Sequence, residues 1–286
     1  MQRLRYFFYW TLLLTCFVAN CRKSVQTQAI IISEAEVLPV IDGVGDDACW
    51  QNVPWQAIDQ VWIPYGTQIP EDDFSGRFKI VWSSQSNLLY FLVEVTDDVF
   101  VDGFDPAVSD PPVYDFDIIE IFIDEDHSGG KHVFNGTGEI GEAWGGNAEN
   151  AFAHHIYAPF PLDGQATDSC FSGDMTGTDW EHNIPKNYAS HFDAFKLRKT
   201  GHTAVWELAL KVYNDTYDDA TPEKSRVQLT ADKIMGISLA YCDNDDVNEN
   251  PKRRDHFFGS VYVTEQAYND HWMNADDFGV MRLSGK

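Results

Sequence analysis

Two kinds of residue in this 286-residue chain are spaced for chemistry. Some tryptophans stand in polar loops, and some carboxylates alternate with small residues in turns. A loop indole offers a flat apolar face, and nearby carboxylates and amides can bond hydroxyl groups presented beside it. Of the nine tryptophans, Trp62, Trp144, Trp180 and Trp272 have such polar neighbours. Trp62 is followed by Pro64, Tyr65 and Gly66, and Trp144 lies between Gly141 and Gly145-Gly146. Trp62, Trp144 and Trp272 are the candidates for stacking on a ligand. Trp50, Trp55, Trp82 and Trp206 sit in patterned segments and are expected to pack in a core.

The run Asp124-Glu125-Asp126-His127-Ser128-Gly129-Gly130 alternates oxygen-bearing side chains and ends on glycine, as the start of a calcium loop does. It lacks the downstream glutamate of an EF-hand. Asp243-Asn244-Asp245-Asp246 is a second oxygen-rich turn. Asp124, Asp126, Asp243 and Asp245 are therefore candidate ligands for a structural calcium ion. Calcium takes six to eight oxygens at about 2.3–2.6 Å, so either turn needs help from elsewhere. The plain alternative is a solvated acidic turn.

Catalytic chemistry has less support. Glycoside hydrolysis needs two carboxylates roughly 5–10 Å apart across the scissile bond. Among 45 acidic residues some pair meets that distance by chance. The sequence contains no H-E-x-x-H, G-x-S-x-G, P-loop or C-x-x-C-H pattern. No residue is assigned a catalytic role.

Acidic residues outnumber basic ones 45 to 20, for a formal charge of −25. Such a surface repels nucleic acid and anionic lipid head groups and suits neutral ligands or divalent cations. The first residues differ. Arg3 and Arg5 precede an apolar stretch from Tyr6 to Ala19, shorter than a membrane span and patterned as a secretory leader. It runs into Val18-Ala19-Asn20-Cys21, which is similar to a bacterial lipobox with Asn20 as a slight departure. Cys21 is thus the candidate lipidation site, with residues 1–20 as signal peptide and 21–34 as tether. Cys49, Cys170 and Cys242 remain, and their spacing defines neither a zinc site nor a particular disulfide.

The elements that position these residues are strands. Phe78, Ile80 and Trp82 alternate with Lys79, Val81 and Ser83; a polar turn at 84–87 then leads into Leu88–Val95, a hairpin pattern. Phe116–Asp124, Ala151–Ala158, Val205–Val212 and Ile234–Tyr241 are further strands, after a first one over Ala29–Ile32. Short helices are expected near 221–233 and 265–272. Residues 35–286 form one all-β domain, an antiparallel, jelly-roll-like β-sandwich with long loops and one or two short helices.

The order of motifs resembles the family 9 carbohydrate-binding modules. Ile41-Asp42-Gly43 to Trp50 is similar to the family's early segment. Trp82 through Leu89-Tyr90-Phe91 to Asp97 resembles its hairpin, and Asp117-Ile118-Ile119-Glu120-Ile121-Phe122-Ile123-Asp124 its acidic strand. Trp206-Glu207-Leu208-Ala209-Leu210, Gly236 through Ala240 to Asp243 and Asp245, and Phe278-Gly279 with Leu283 follow in the family's order. Val212 stands where the family pattern has proline. The resemblance implies a sandwich, sugar held by aromatic rings, structural calcium, and a fold or polar-site role for Glu120, the fourth candidate ligand residue. The expected function is non-catalytic binding of an oligo- or polysaccharide at the cell envelope, in support of polysaccharide catabolism. The membrane is met through the lipid anchor alone, beside envelope partner proteins. A glycoside hydrolase or its accessory subunit, and an envelope scaffold without sugar binding, are the alternatives.

Overall fold

The computed structural model describes residues 29–108, 110–132, 151–179 and 184–285. Fifteen strands follow in chain order: β1 (Ile30–Glu34), β2 (Gln56–Ile58), β3 (Gln60–Ile63), β4 (Phe74–Ser83) and β5 (Leu88–Asp97). Next come β6 (Ile118–Asp124), β7 (Phe152–Tyr157), β8 (Ala166–Thr167), β9 (Phe171–Asp179) and β10 (Ile184–Asn187). The last are β11 (Phe192–Thr200), β12 (Thr203–Leu210), β13 (Ile234–Asp243), β14 (His256–Gly259) and β15 (Gly279–Ser284).

Hydrogen bonding runs continuously along β10–β9–β7–β6–β13–β15–β1–β4–β5–β12–β11–β8. The sheet curls so that its two halves face each other. Phe78, Ile80 and Trp82 of β4 and Leu89, Phe91 and Val93 of β5 share one core with Ile119 and Ile121 of β6 and Ile237 and Leu239 of β13. Each such side chain stabilises the fold by roughly 1.5–3 kcal/mol when fully buried. β1 is parallel to both β15 and β4, while the other ladders are antiparallel.

Loops cover the outer faces as well. Ile118 and Phe122 of β6 and Ala240 and Cys242 of β13 lie under Val101, Phe104, Phe116 and Phe278. On the other side, Val81, Tyr90, Leu92 and Ala209 lie under Ala35 and Trp50. This double coverage explains why Leu88–Val93 is apolar without a break, and every residue of it is buried.

The sandwich is as the alternation predicts, with boundaries shifted by a few residues. Two expectations fail. The stretch 221–233 contains only a 3-10 turn, Pro222–Ser225, because Val227 N donates to Val212 O and Tyr213 bridges Arg226, drawing the segment back against β12. The stretch 265–272 is a chain of turns, with Ala267 N on Thr264 O, Asp270 N on Ala267 O and Met273 N on Asp270 O. Strand β1 enters the sheet at Ile30, beside Met281 of β15.

Candidate functional site

One end of the sandwich collects strand termini that carry carboxylates. Phe74 is paired with Asp97, Cys242 with Ile118, and Asp243 with His256. These registers bring Asp73, Asp97 and Asp98 beside Asp117, Asp243 and Asp245. Ligand atoms of Asp73, Asp243 and His256 lie within 4.8 Å of one another, as do those of Asp73, Asp98 and Asp245, and those of Asp97, Asp117 and Asp243.

Part of this charge is satisfied by the protein. Asp97 accepts from the Tyr241 hydroxyl at 2.6 Å and from Val99 N at 2.9 Å. Asp117 accepts from Asn244 N at 2.8 Å and from Val101 N. His256 Nδ1 meets Asp243 Oδ2 at 2.9 Å. Three buried oxygens have no hydrogen-bond partner: Asp73 Oδ2, Asp243 Oδ1 and Asp245 Oδ1. Asp243 itself is only 1% exposed.

Burial and mutual repulsion raise the pKa values of these acids. Burial, then Asp243, pushes Asp97 up to about 8; burial, then Asp243 and Asp73, pushes Asp245 up to about 6. Asp73, Asp117 and Asp243 are also raised, burial being the first cause in each. His256 is raised by its hydrogen bond to Asp243. Unbonded, converging carboxylate oxygens are the donor set of a hard divalent cation such as calcium, and the residues fit that ion.

The two predicted calcium turns therefore part company. Asp243 and Asp245 join the cluster. Asp124 and Asp126 do not belong to any three-ligand group among the described residues. Asp124 gives its oxygens to Asp126 N at 3.2 Å and Gly129 N at 2.8 Å, and Asp126 accepts from Ser128 N at 3.0 Å. The alternation that resembled a calcium loop is spent on turns closed by the loop's own amides.

A second polar constellation lies on the outer face of β6 and β13. Glu120 is 1% exposed, and its Oε1 accepts from the Cys242 thiol at 3.2 Å and lies 3.5 Å from His155 Nε2. Burial and the Glu120 carboxylate push the Cys242 thiol well up, so it stays a neutral donor. Arg254 donates to Cys242 Sγ at 3.2 Å and to Asn269 Oδ1 at 2.9 Å. Its guanidinium lies 4.3 Å from the Phe257 ring centre and 5.1 Å from that of Tyr114, which is 38% exposed. Asn269 immediately precedes the Asp270–Met273 turn that carries Trp272, which is half-buried. The structure thus ties Glu120 to the Trp272 segment and adds Tyr114, His155, Arg254 and Asn269.

Trp62 is corrected. It is 1% exposed, and its indole N–H donates to Val261 O at 3.0 Å. The ring packs on His271 at 4.4 Å and Phe257 at 5.1 Å and lies against Gly259, where an added Cβ would come within 2.0 Å of it. Its face is enclosed and cannot stack on a ligand. Trp50, Trp82 and Trp206 are buried as expected, and Trp55 lies half-buried under Arg77 and Lys79. Trp144 and Cys21 lie outside the described residues.

Residues 41–153 match the family model described as carbohydrate family 9 binding domain-like. Among solved structures, the chain is similar to a carbohydrate-binding module family 9 from Caldicellulosiruptor kristjanssonii in complex with cellotriose. Identity is 19%, the match covers 91% of this chain and 95% of that one, and the TM-score is 0.57. The structure of a family 9 module from the same organism in complex with glucose is similar at 18% identity, covering 90% and 96%, with a TM-score of 0.55. No curated protein matches the chain.

Proposed function

We propose that this chain, whose family 9-like domain is folded as a β-sandwich, is a non-catalytic carbohydrate-binding protein. It is held at the cell envelope by a lipid on Cys21 and captures polysaccharide there for breakdown by other proteins. The observation that carries sugar binding is the family match over residues 41–153. Solved modules of the same fold hold cellotriose and glucose.

The sugar is placed beside Arg254 and Asn269, which buried Glu120 helps to hold through Cys242, with Tyr114 and Trp272 supplying ring surface. A guanidinium and an amide are groups that bond sugar hydroxyls, and an aromatic ring covers the apolar face of a pyranose. The acidic cluster at the strand ends is given a structural part, with calcium bridging strands that repel one another without it. The leader and its lipobox-like end support the envelope location.

A glycan array on the mature protein, with and without calcium, tests the reading. Binding of a neutral oligosaccharide that is lost in Trp272→Ala and Tyr114→Ala is the expected result. Release of reducing sugar from a polymer by a protein that retains no glycan favours a hydrolase instead.

A further inference from the structure

A groove apart from the Glu120 constellation runs along β3 and the loop after it. Asp59, Gln60, Tyr65, Thr67 and Tyr262 line a cavity of about 240 Å³, with buried Trp62 also in its wall. A neighbouring cavity of about 430 Å³ shares Asp59, Val61 and Thr67 with it and continues to Gln68 and Glu71. The two form one elongated trough.

Its chemistry is specific. Tyr262 is 64% exposed and offers its ring to the cavity and to solvent. The Tyr65 hydroxyl donates to Val263 O at 2.9 Å, which holds that ring in the wall beside Tyr262. Gln60 Nε2 donates to Asp59 Oδ1 at 2.7 Å, and both residues line the cavity. Aromatic rings beside a carboxylate, an amide and a threonine hydroxyl suit a ligand with apolar faces and many hydroxyls. Asp59 and Glu71 bring negative charge and the lining contains no basic residue, which disfavours an anionic ligand and admits a neutral one.

We propose that this trough is a second glycan-binding surface, which holds an extended segment of a neutral polysaccharide while the Glu120 constellation holds another. The inference rests on the sugar-binding reading above. One layer of rings separates the two surfaces: Trp62 backs the trough and packs on Phe257, which lies under Arg254. Two contacts on one molecule raise retention on a polymer far more than either alone.

Calorimetry with cello-, xylo- and manno-hexaose, and pull-down on the matching insoluble polymer, give the test. Wild type binds its hexaose in two events. Tyr262→Ala removes one event and lowers polymer retention at least tenfold, with an unchanged melting temperature because the ring is exposed. Trp272→Ala removes the other event and leaves the trough. A single event that Tyr262→Ala and Asp59→Ala leave untouched but Trp272→Ala abolishes overturns the trough and spares the first reading. A single event lost in Tyr262→Ala alone keeps the trough and removes the Glu120 site. Failure of wild type to bind any hexaose overturns both.

Discussion

The indole N–H of Trp50 donates to the carboxylate of Glu207 at 3.1 Å, joining residues 157 positions apart. The same carboxylate accepts from Gly43 N at 2.7 Å and Asp42 N at 3.1 Å. Glu207 is fully buried in β12, so one side chain fastens the Ile41–Trp50 segment over the outer face of the sheet. Removing it orphans three donors, two of them backbone. Glu207→Ala should cost about 2–4 kcal/mol, and Trp50→Phe, which keeps a ring but loses one bond, about 1 kcal/mol. Chemical denaturation of the two variants checks the ranking; equal losses would mean that packing of the ring, and not the carboxylate, holds the segment.

Calcium removal is the second test. If the strand-end cluster holds the ion, excess chelator should lower the melting temperature of protein first shown to be metal-loaded. At free calcium 100 times the dissociation constant a single site adds about 2.7 kcal/mol. Asp73→Asn and Asp245→Asn should abolish the calcium-dependent part, whereas Asp126→Asn should leave it intact. Loss of the calcium response in Asp126→Asn would restore the 124–130 turn as the site.

Trp62 and Trp272 should behave oppositely. Trp62→Ala removes a ring enclosed by His271, Phe257 and Gly259 and should cost on the order of 3–5 kcal/mol. Trp272→Ala should change stability little and weaken glycan binding strongly. Thermal melts beside binding isotherms decide the matter, and a stable Trp62→Ala with lost binding would reverse the assignment.

Buried histidines set the acid limit. Burial holds His271 down to about 3 and His154 to about 3, below the ordinary value near 6.5. A histidine with a lowered folded value favours folding fully above pH 6.5, and that contribution is lost as pH falls from 6.5 towards 3. Both ring nitrogens of His271 lack a partner among the described residues, and its ring packs on Phe122 and Phe278. His271→Phe should therefore flatten the decline in melting temperature between pH 6.5 and 4. An unchanged slope would place the acid sensitivity elsewhere.

How much of this was legible depends on whether the signal lies along the chain or across it. The β4–β5 hairpin was readable because alternation and a polar turn are local. Asp243 and Asp245 were readable for the same reason. Asp73, Asp97, Asp98 and Asp117 were not, since only the sheet order brings their strand ends to Asp243. Trp62 looked like a loop ring because its sequence neighbours are polar, yet the gap that receives it is made by Gly259, far along the chain. Tyr114 and Asn269 meet only through Arg254 and carry no local mark.

Strand β1 lies parallel between β15 and β4, with Ile30 beside Met281 and Ser33 beside both Ser284 and Val81. A pull transmitted through the residues before Ile30 runs along the axis of this strand. Ladder bonds lie across that axis, so the load falls on all of them together, in shear, and does not unzip them singly. With the anchor at Cys21 proposed above, the load of a gripped polymer would arrive along β1, which would make this strand the mechanical clamp.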